Sequence, residues 1–210
     1  MRRFTIMIPV RHPDTVADPA LQQLMLRQTF RSLAAMEGGN WRARIACNPE
    51  QRLPELPPRM ERVDVDAPSL RAELEAETSP DAARALRRRD KGRRLLGAIR
   101  DLHADETVMF ADDDDFVSRR LARFIGETPE GSLWKVSRGW TWRQGDALVR
   151  GIDDLHNRCG TGLVLPLGRL RIAEAGPDDD AALQELGGHH AVYQRIGDAA
   201  PANPGGFADV

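Results

Sequence analysis

The chain has 210 residues, of which 41% are hydrophobic and 30% are charged, and its formal net charge at pH 7 is -2. This length suits one domain with a substantial core, and this composition is typical of a soluble globular protein. A net charge so close to zero provides no general attraction for nucleic acid or for an anionic membrane surface, and only local patches could supply it. Nucleic acid is therefore not expected as a partner.

The first apolar run of the chain is short. It ends at Pro9, after too few residues for the core of a signal peptide or for a membrane-spanning helix. The two cysteines, Cys47 and Cys159, are far apart and have no Cys or His neighbour at the spacing of a zinc site, so both are interpreted as small buried side chains. Together these features predict a cytoplasmic protein with no transmembrane segment and no disulfide framework.

Strands and helices alternate in the first half. Apolar and β-branched residues at 4–10 predict a buried first strand. Apolar residues at three- and four-residue spacing then predict a helix over 19–36, which two glycines follow. Two alternating runs, at 41–47 and 62–66, predict strands on either side of a proline-rich loop. The charged region 69–100 predicts helical structure that a proline interrupts.

The second half contains further strands and one hairpin. The predicted elements are a strand at 108–110, a helix ending near 126, a hairpin within 132–152 with its turn at 144–146, a buried strand at 160–166 and a helix over 177–187. Residues 1–197 are therefore expected to form one α/β domain, with a mostly parallel central sheet flanked by helices and a small antiparallel hairpin. Residues 198–210 are expected to be a weakly ordered tail.

Four consecutive carboxylates, Asp112 to Asp115, follow the predicted strand at 108–110. Like charges this close raise one another's pKa unless a cation or hydrogen-bond donors neutralise them. A divalent metal is the simplest neutraliser, and oxygen ligands of this kind suit Mg²⁺ or Mn²⁺, particularly where nucleotide phosphates share the metal. A solvated acidic turn is the alternative. The buried strand before the cluster favours a site, because ligands bind beyond the carboxyl ends of parallel strands.

The strand FTIMIPVRHP at 4–13, the residues Lys91 and Arg94 in a basic helix, and the segment VMFADDDDFV at 108–117 together resemble glycosyltransferases of the GT-A fold, nearest to the family 2 type. The resemblance covers about residues 4–125. In that family an Asp-any-Asp motif follows a strand, and VMFADDDD places Asp112 and Asp114 at its two carboxylates. The resemblance implies a single GT-A-like domain that transfers a sugar from a nucleotide-diphosphate donor to an unknown glycan, lipid or small-molecule acceptor.

The resemblance also implies a donor site that contains Mn²⁺ or Mg²⁺. Asp114 would hold the metal, and Asp112 would lie near the ribose or the metal. The residues implied to contact the donor are Pro9, Val10, Arg11, Asp66, Lys91, Arg94, Asp112 and Asp113, the last expected as a bystander between the two motif acids. Solvated positions remain the alternative for Asp66 and for the two basic residues of the helix.

The sequence departs from the family pattern where the general base is expected. Family 2 enzymes usually carry an acid pair near a late helix, whereas this chain has LGGHH at 186–190. His189 or His190 could accept the proton of the acceptor hydroxyl, since imidazole titrates near neutrality. His190 could instead be a third metal ligand, and Glu185 or the acids at 178–180 remain competing bases.

Two other functions remain open at this point. A GT-A-like protein that binds a nucleotide or carbohydrate without transfer would explain the missing acid pair. A nucleotidyltransferase would share the sheet and the carboxylates, but the segment after the first strand, RHPDTVADP, lacks the glycines expected there. The tryptophans Trp134, Trp140 and Trp142 suit sugar stacking, with packing on the sheet as the alternative.

Overall fold

The structure, a computed structural model, describes residues 3–143, 145–170, 176, 179–188, 192 and 202–203. The strands are β1 Arg3–Pro9, β2 Asn40–Cys47, β3 Met60–Asp64, β4 Thr107–Phe110, β5 Trp134–Val136, β6 Gly139–Thr141, β7 Arg150–Ile152, β8 Leu163–Pro166 and β9 Ala202–Asn203. The helices are α1 Pro19–Ala34, α2 Arg71–Ala76, α3 Pro80–Ile99, α4 Leu121–Glu127, α5 Leu155–Arg158 and α6 Asp180–Gly187.

Seven of these strands form one sheet in the order β3-β2-β1-β4-β8-β5-β9. The strands β3, β2, β1 and β4 are parallel, β8 is antiparallel to both of its neighbours, and β9 is parallel to β5. The strands β6 and β7 form a separate antiparallel hairpin. The predicted fold class is confirmed: the central sheet is mostly parallel, helices flank it, and a small antiparallel hairpin is added.

Apolar side chains on the two faces of the sheet form two clusters. Successive residues of a strand point to opposite faces, so Ile6 and Ile8 join the cluster with α1 and α4, and Met7 joins the cluster with α3 and α6. The parallel strands are buried on both faces, which explains why β1 is a continuous apolar run. The acidic turn after β4 therefore lies between two helical layers.

Capping residues define the starts of the two long helices. Asp18 accepts a hydrogen bond from the backbone N–H of Leu21 at 2.9 Å, and Ser79 caps α3 in the same way. A proline follows each cap at the first helical position, where the missing N–H costs nothing. Pro80 therefore starts α3, and the predicted helical region divides into α2 and α3.

The structure corrects several boundaries. The third strand begins two residues before the predicted range, and the returning strand of the hairpin is limited to Arg150–Ile152. The region predicted as one arm of the hairpin is divided, because β5 joins the main sheet and only β6 pairs with β7. The pairing of Ala202–Asn203 with β5 falls within the predicted tail, most of which lies outside the described residues, so the boundary at residue 197 stays a prediction.

Both cysteines are free thiols; Cys47 is buried, as predicted, whereas Cys159 is only half-buried. In the part of the chain that the structure describes, none of the helices has the length and apolar character that crossing a bilayer requires.

Candidate functional site

Segments after the four parallel strands meet at one edge of the sheet, because the carboxyl ends of β1, β2, β3 and β4 all lie there. The antiparallel strand β8 begins at this same edge, just after Thr161. The acidic residues 112–115 form a tight turn there, in which the backbone N–H of Asp115 donates to the carbonyl of Asp112 at 3.2 Å. The sequence prediction that the acidic cluster lies at the carboxyl end of a buried strand is confirmed.

Asp112 faces the layer that contains α3. Its carboxylate forms an ion pair with the half-buried Lys91 of that helix. Its backbone N–H donates to the hydroxyl oxygen of Thr161 at 2.8 Å. The structure thus brings together two residues that the sequence analysis assigned to the donor site, Lys91 and Asp112.

The side chain of Asp115 is bound by the segment that leads into β8. One of its oxygens accepts hydrogen bonds from the Thr161 hydroxyl and from the Cys159 thiol, the latter at 2.8 Å. Burial raises the pKa of Asp115, and these donors oppose that effect. Burial and the neighbouring carboxylate raise the pKa of the Cys159 thiol to about 12. Asp115 therefore fixes the shape of the turn, and Cys159 stays a protonated donor.

Asp113 faces the opposite layer, which contains α1. Its backbone carbonyl accepts a hydrogen bond from the hydroxyl of Thr29 at 3.1 Å, and its side chain is only 8% exposed. One carboxylate oxygen lies 3.7 Å from a guanidinium nitrogen of Arg11, while Oδ2 accepts no hydrogen bond from the described residues. Burial raises the pKa of Asp113 to about 6, although Arg11 lowers it and the carboxylates of Asp114 and Asp112 add to the rise.

A cleft of about 740 Å³ opens on this side of the turn, between α1, the segment after β1 and the hairpin. Its volume falls in the range of sites for small organic ligands. Arg11, Asp113 and the exposed Asp114 lie on its polar part. Apolar side chains cover much of the rest, among them Leu21, Leu24, Met25, Phe116 and Trp142. The acidic turn thus separates a cleft on the α1 side from the Lys91–Asp112 pair on the α3 side.

Arg94 lies in the interior, where it connects α3 with the segment after β2. Its side chain is 1% exposed, and it donates to both carboxylate oxygens of Asp90 and, at 2.7 Å, to the side-chain oxygen of Asn48. Asn48 in turn donates to the carbonyl of Ala67 at 2.7 Å. These contacts give Arg94 a structural role at the sheet edge, and its predicted contact with a diphosphate stays a prediction.

The remaining donor residues of the prediction also lie at this edge. Pro9 ends β1, and Val10 is fully buried with its N–H donating to the carbonyl of Ala46 at 2.8 Å. Because the side chains of Pro9 and Val10 are buried, only their backbone atoms could contact a ligand, whereas the side chain of the next residue, Arg11, is exposed. Asp66 is exposed just beyond β3. None of these positions tests whether a nucleotide binds.

The proposed general bases lie at or beyond the end of α6. This helix crosses α3 closely, with the carbonyl of Ala85 accepting from the Gln184 side chain at 3.0 Å. Glu185 is half-buried on α6. His189 and His190, and Asp178 among the competing acids, lie outside the described residues, so their predicted roles stay predictions.

The carboxylates of the acidic turn are suitable ligands for a hard cation, but they do not form a complete metal site by themselves. Within residues 3–143 and the other described segments, no set of three His, Cys, Asp or Glu side chains is close enough to hold a metal ion. Mg²⁺ often takes one or two carboxylates from a protein and completes its shell with substrate phosphates and water. Asp112 and Asp114 are the candidates for that limited role, although Asp112 faces α3 and pairs with Lys91, whereas Asp114 faces the cleft. The predicted Mn²⁺ or Mg²⁺ therefore fits these residues only with a phosphate-bearing ligand.

The three tryptophans of the second half occupy different surroundings. Trp134 packs edge-on against Phe124, with 5.1 Å between ring centroids, beside the apolar cluster of α1 and α4. Trp140 and Trp142 are both exposed on the hairpin, and only Trp142 lines the cleft. The sequence alone could not distinguish them, because their distance from α1 depends on how the hairpin is placed.

No protein-family model matches the chain, and no curated protein matches it. Among solved structures, a 4-diphosphocytidyl-2C-methyl-D-erythritol synthase is similar with 14% identity and a TM-score of 0.42, covering 89% of this chain and 86% of that chain. The 2-C-methyl-D-erythritol 4-phosphate cytidylyltransferase of Francisella tularensis is similar with 10% identity and a TM-score of 0.43, covering 89% and 87%. Likeness at this level carries no conclusion about the activity of this chain, and the family 2 assignment stays a prediction.

Proposed function

We propose that the protein is a metal-dependent glycosyltransferase that moves a sugar from a nucleotide-diphosphate donor to an acceptor hydroxyl. The observation that carries the proposal is the acidic turn at the carboxyl edge of a parallel sheet, with a lysine on one side and a ligand-sized cleft on the other. This edge is where ligands bind in open α/β sheets. An acidic turn that served only solubility would not need one buried carboxylate, Asp113, and one half-buried carboxylate, Asp115.

The donor diphosphate belongs at the turn in this proposal. Asp112 and Asp114 would share Mn²⁺ or Mg²⁺ with the phosphates, and the metal would neutralise the charge that grows on the leaving diphosphate. Lys91 places its ammonium group beside the carboxylate of Asp112, and this ammonium group would bind a phosphate oxygen of the donor. Arg11, whose side chain is 63% exposed, lies on the cleft side of the turn, 3.7 Å from Asp113. Asp66 and the backbone of Pro9 and Val10 would lie toward the nucleoside.

The transfer step requires only the donor, the acceptor hydroxyl and a base. The acceptor oxygen forms a bond to the anomeric carbon of the sugar, and the bond between that carbon and the phosphate oxygen breaks. The nucleoside diphosphate leaves with the bonding electrons, and the hydroxyl proton passes to a base. His189, His190 and Glu185 remain the proposed bases.

The proposal is tested by incubating the protein with a panel of nucleotide sugars and measuring release of nucleoside diphosphate, with Mn²⁺ and with chelator. At least one donor should be turned over only with metal, and Asp114→Ala should lower the rate by about a hundredfold or more, because a metal ligand is lost. Asp105→Ala, an exposed aspartate before β4, is the matched control and should keep full activity.

Two results would replace the proposal with its alternatives. Nucleotide binding without turnover of any donor would indicate a GT-A-like binding protein. Release of pyrophosphate from a nucleoside triphosphate, with every nucleotide sugar inert, would indicate a nucleotidyltransferase.

A further inference from the structure

Most of the large hydrophobic side chains that are exposed in the described residues lie at the cleft beside α1. Seven large hydrophobic side chains are exposed in the described residues, and four of them line this one cleft. The four are Leu21, Leu24, Phe116 and Trp142, exposed by 36%, 46%, 56% and 48%. Single exposed apolar residues are ordinary, but a contiguous set around a concave site indicates a binding surface.

The apolar side chains come from three separate segments, so the apolar surface is not simply the exposed face of one helix. Leu21 and Leu24 lie on α1, Phe116 follows the acidic turn, and Trp142 is on the hairpin. Trp142 donates its indole N–H to the carbonyl of Asp146 at 2.9 Å, which holds the ring within the hairpin. A ring fixed in this way presents apolar area to a ligand at low entropic cost.

The polar part of the cleft limits the charge of its ligand. Three carboxylates, from Asp18, Asp113 and Asp114, line the cleft with one guanidinium, from Arg11. In the absence of the metal proposed for Asp114, an anionic head group would meet net negative charge there, which disfavours it. A hydroxyl group matches the residues present, because it can donate to a carboxylate at the cleft, such as that of Asp113, and accept from Arg11.

We propose that this cleft is the acceptor site and that the acceptor is a neutral amphiphile. Its hydroxyl-bearing head meets Arg11 and Asp113 beside the acidic turn, and its apolar part packs against Leu24, Phe116 and Trp142. The assignment as acceptor site rests on the proposed function, since it names the acceptor of that transfer. The arrangement brings the acceptor hydroxyl next to the turn that would hold the donor diphosphate.

Isothermal titration calorimetry with n-octyl β-D-glucoside, kept below its micelle concentration, tests the proposal on the whole chain. The probe should bind, and glucose and n-octyl phosphate should each bind at least about tenfold more weakly, the first for lack of apolar area and the second because of its charge. Leu24→Ser and Trp142→Ala should each weaken binding of the probe by about tenfold. Their matched controls are Leu148→Ser and Trp140→Ala, exposed residues of the same types outside the cleft, which should bind as the wild type does.

A second measurement on the same proteins separates this proposal from the proposed function. Stabilisation by a nucleoside diphosphate with Mn²⁺ should be retained in Leu24→Ser and Trp142→Ala, which also shows that both variants fold. The acceptor site would be overturned if the wild type bound the nucleotide but not the glucoside. It would also be overturned if Leu24→Ser bound the glucoside as tightly as the wild type does. Tighter binding of n-octyl phosphate than of the glucoside would overturn the neutral head group. Absence of nucleotide binding in the wild type would overturn the proposed function and with it the assignment of the cleft to an acceptor.

Discussion

Asp113 is the side chain whose environment departs most from that of an ordinary aspartate in the turn. Burial raises its pKa to about 6 from an ordinary value of 3.8. Because the pKa in the folded state is the higher one, the stabilisation from protonated Asp113 is fully present below about pH 4 and is lost as the pH rises through about 6. At neutral pH the folded protein therefore carries a buried carboxylate that opposes folding.

Asp113→Asn should remove this pH dependence. We expect the variant to gain unfolding free energy relative to the wild type as the pH rises from about 4 to about 7.5, by at most about 3 kcal/mol. Urea denaturation at several pH values, with chelator present, measures the difference. Asp105→Asn is the control for the substitution itself, since Asp105 is an exposed aspartate that lies before β4 and outside the acidic turn. Parallel profiles for Asp113→Asn and the wild type would contradict the buried position of Asp113.

Arg94 provides a second prediction at the scale of one side chain. Arg94→Met should lower the unfolding free energy by about 3 kcal/mol, because Asp90 would be left buried without its cation. The double variant Arg94→Met with Asp90→Asn should recover part of the loss. Arg71→Met breaks an exposed pair of the same spacing, with Glu75, and should cost about 0.5 kcal/mol or less. Equal losses in Arg94→Met and Arg71→Met would show that the network around Arg94 is not buried.

The sequence predicted part of the site at this scale, and the limit has a physical cause. The motif located the acidic turn, and the structure pairs Lys91 with Asp112 there, while the predicted contact of Lys91 with a donor stays a prediction. Asp112 to Asp115 are identical in type, however, and only the turn geometry sends Asp112 toward α3 and Asp113 toward α1. Asp113 is the most buried carboxylate of the cleft, which no pattern in four identical residues could show, and its expected place as a bystander stays a prediction.

The crossing of α3 and α6 depends on two glycines. A Cβ atom at Gly92 would lie 2.0 Å from the carbonyl oxygen of Leu183, and one at Gly187 would lie 1.8 Å from that of Arg88. Both contacts are with backbone, which cannot move without separating the helices. The close approach explains why these positions carry no side chain, and it fixes where α6 ends.

Gly92→Ala and Gly187→Ala should each lower the unfolding free energy by about 1–3 kcal/mol, because the added methyl group forces the helices apart. The double variant should lose less than the sum, since the first substitution already opens the crossing. Gly126→Ala in α4 has no atom within 4 Å of the added Cβ and should be neutral or slightly stabilising. Denaturant unfolding of these four variants and of the wild type measures the changes in unfolding free energy. A neutral effect at both Gly92 and Gly187 would refute the close crossing.

Elements with strong local patterns were predicted, and those defined by distant pairing were not. The strand β1 was located from its apolar, β-branched run, and the helix α1 from its apolar spacing and the two glycines that follow it. The assignment of β5 to the main sheet rather than to the hairpin depends on pairing with β8, which lies some thirty residues later. A three-residue strand carries too little pattern to identify its partner.

At the scale of the whole molecule, the sheet arranges two different surfaces around one acidic turn. The α3 side presents an ion pair suited to phosphate, and the α1 side presents a cleft suited to an amphiphile. The sequence predicted that ligands bind at the carboxyl edge, because strands and helices alternate along the chain. It did not predict the cleft, since the cleft is formed by segments that are distant in sequence.

The most direct test of the central claim is binding of nucleotide diphosphates that depends on metal. The thermal midpoint of the protein is measured with uridine, guanosine, cytidine, adenosine and thymidine diphosphates, each with Mn²⁺ and with chelator, for the wild type, Asp114→Ala and Asp105→Ala. A ligand that binds only the folded state raises the midpoint. We predict that at least one nucleotide raises the midpoint of the wild type and of Asp105→Ala with Mn²⁺ alone, and that Asp114→Ala shows no such rise. No rise with any nucleotide, or an equal rise with chelator, would contradict a phosphate-bridging metal site at the acidic turn.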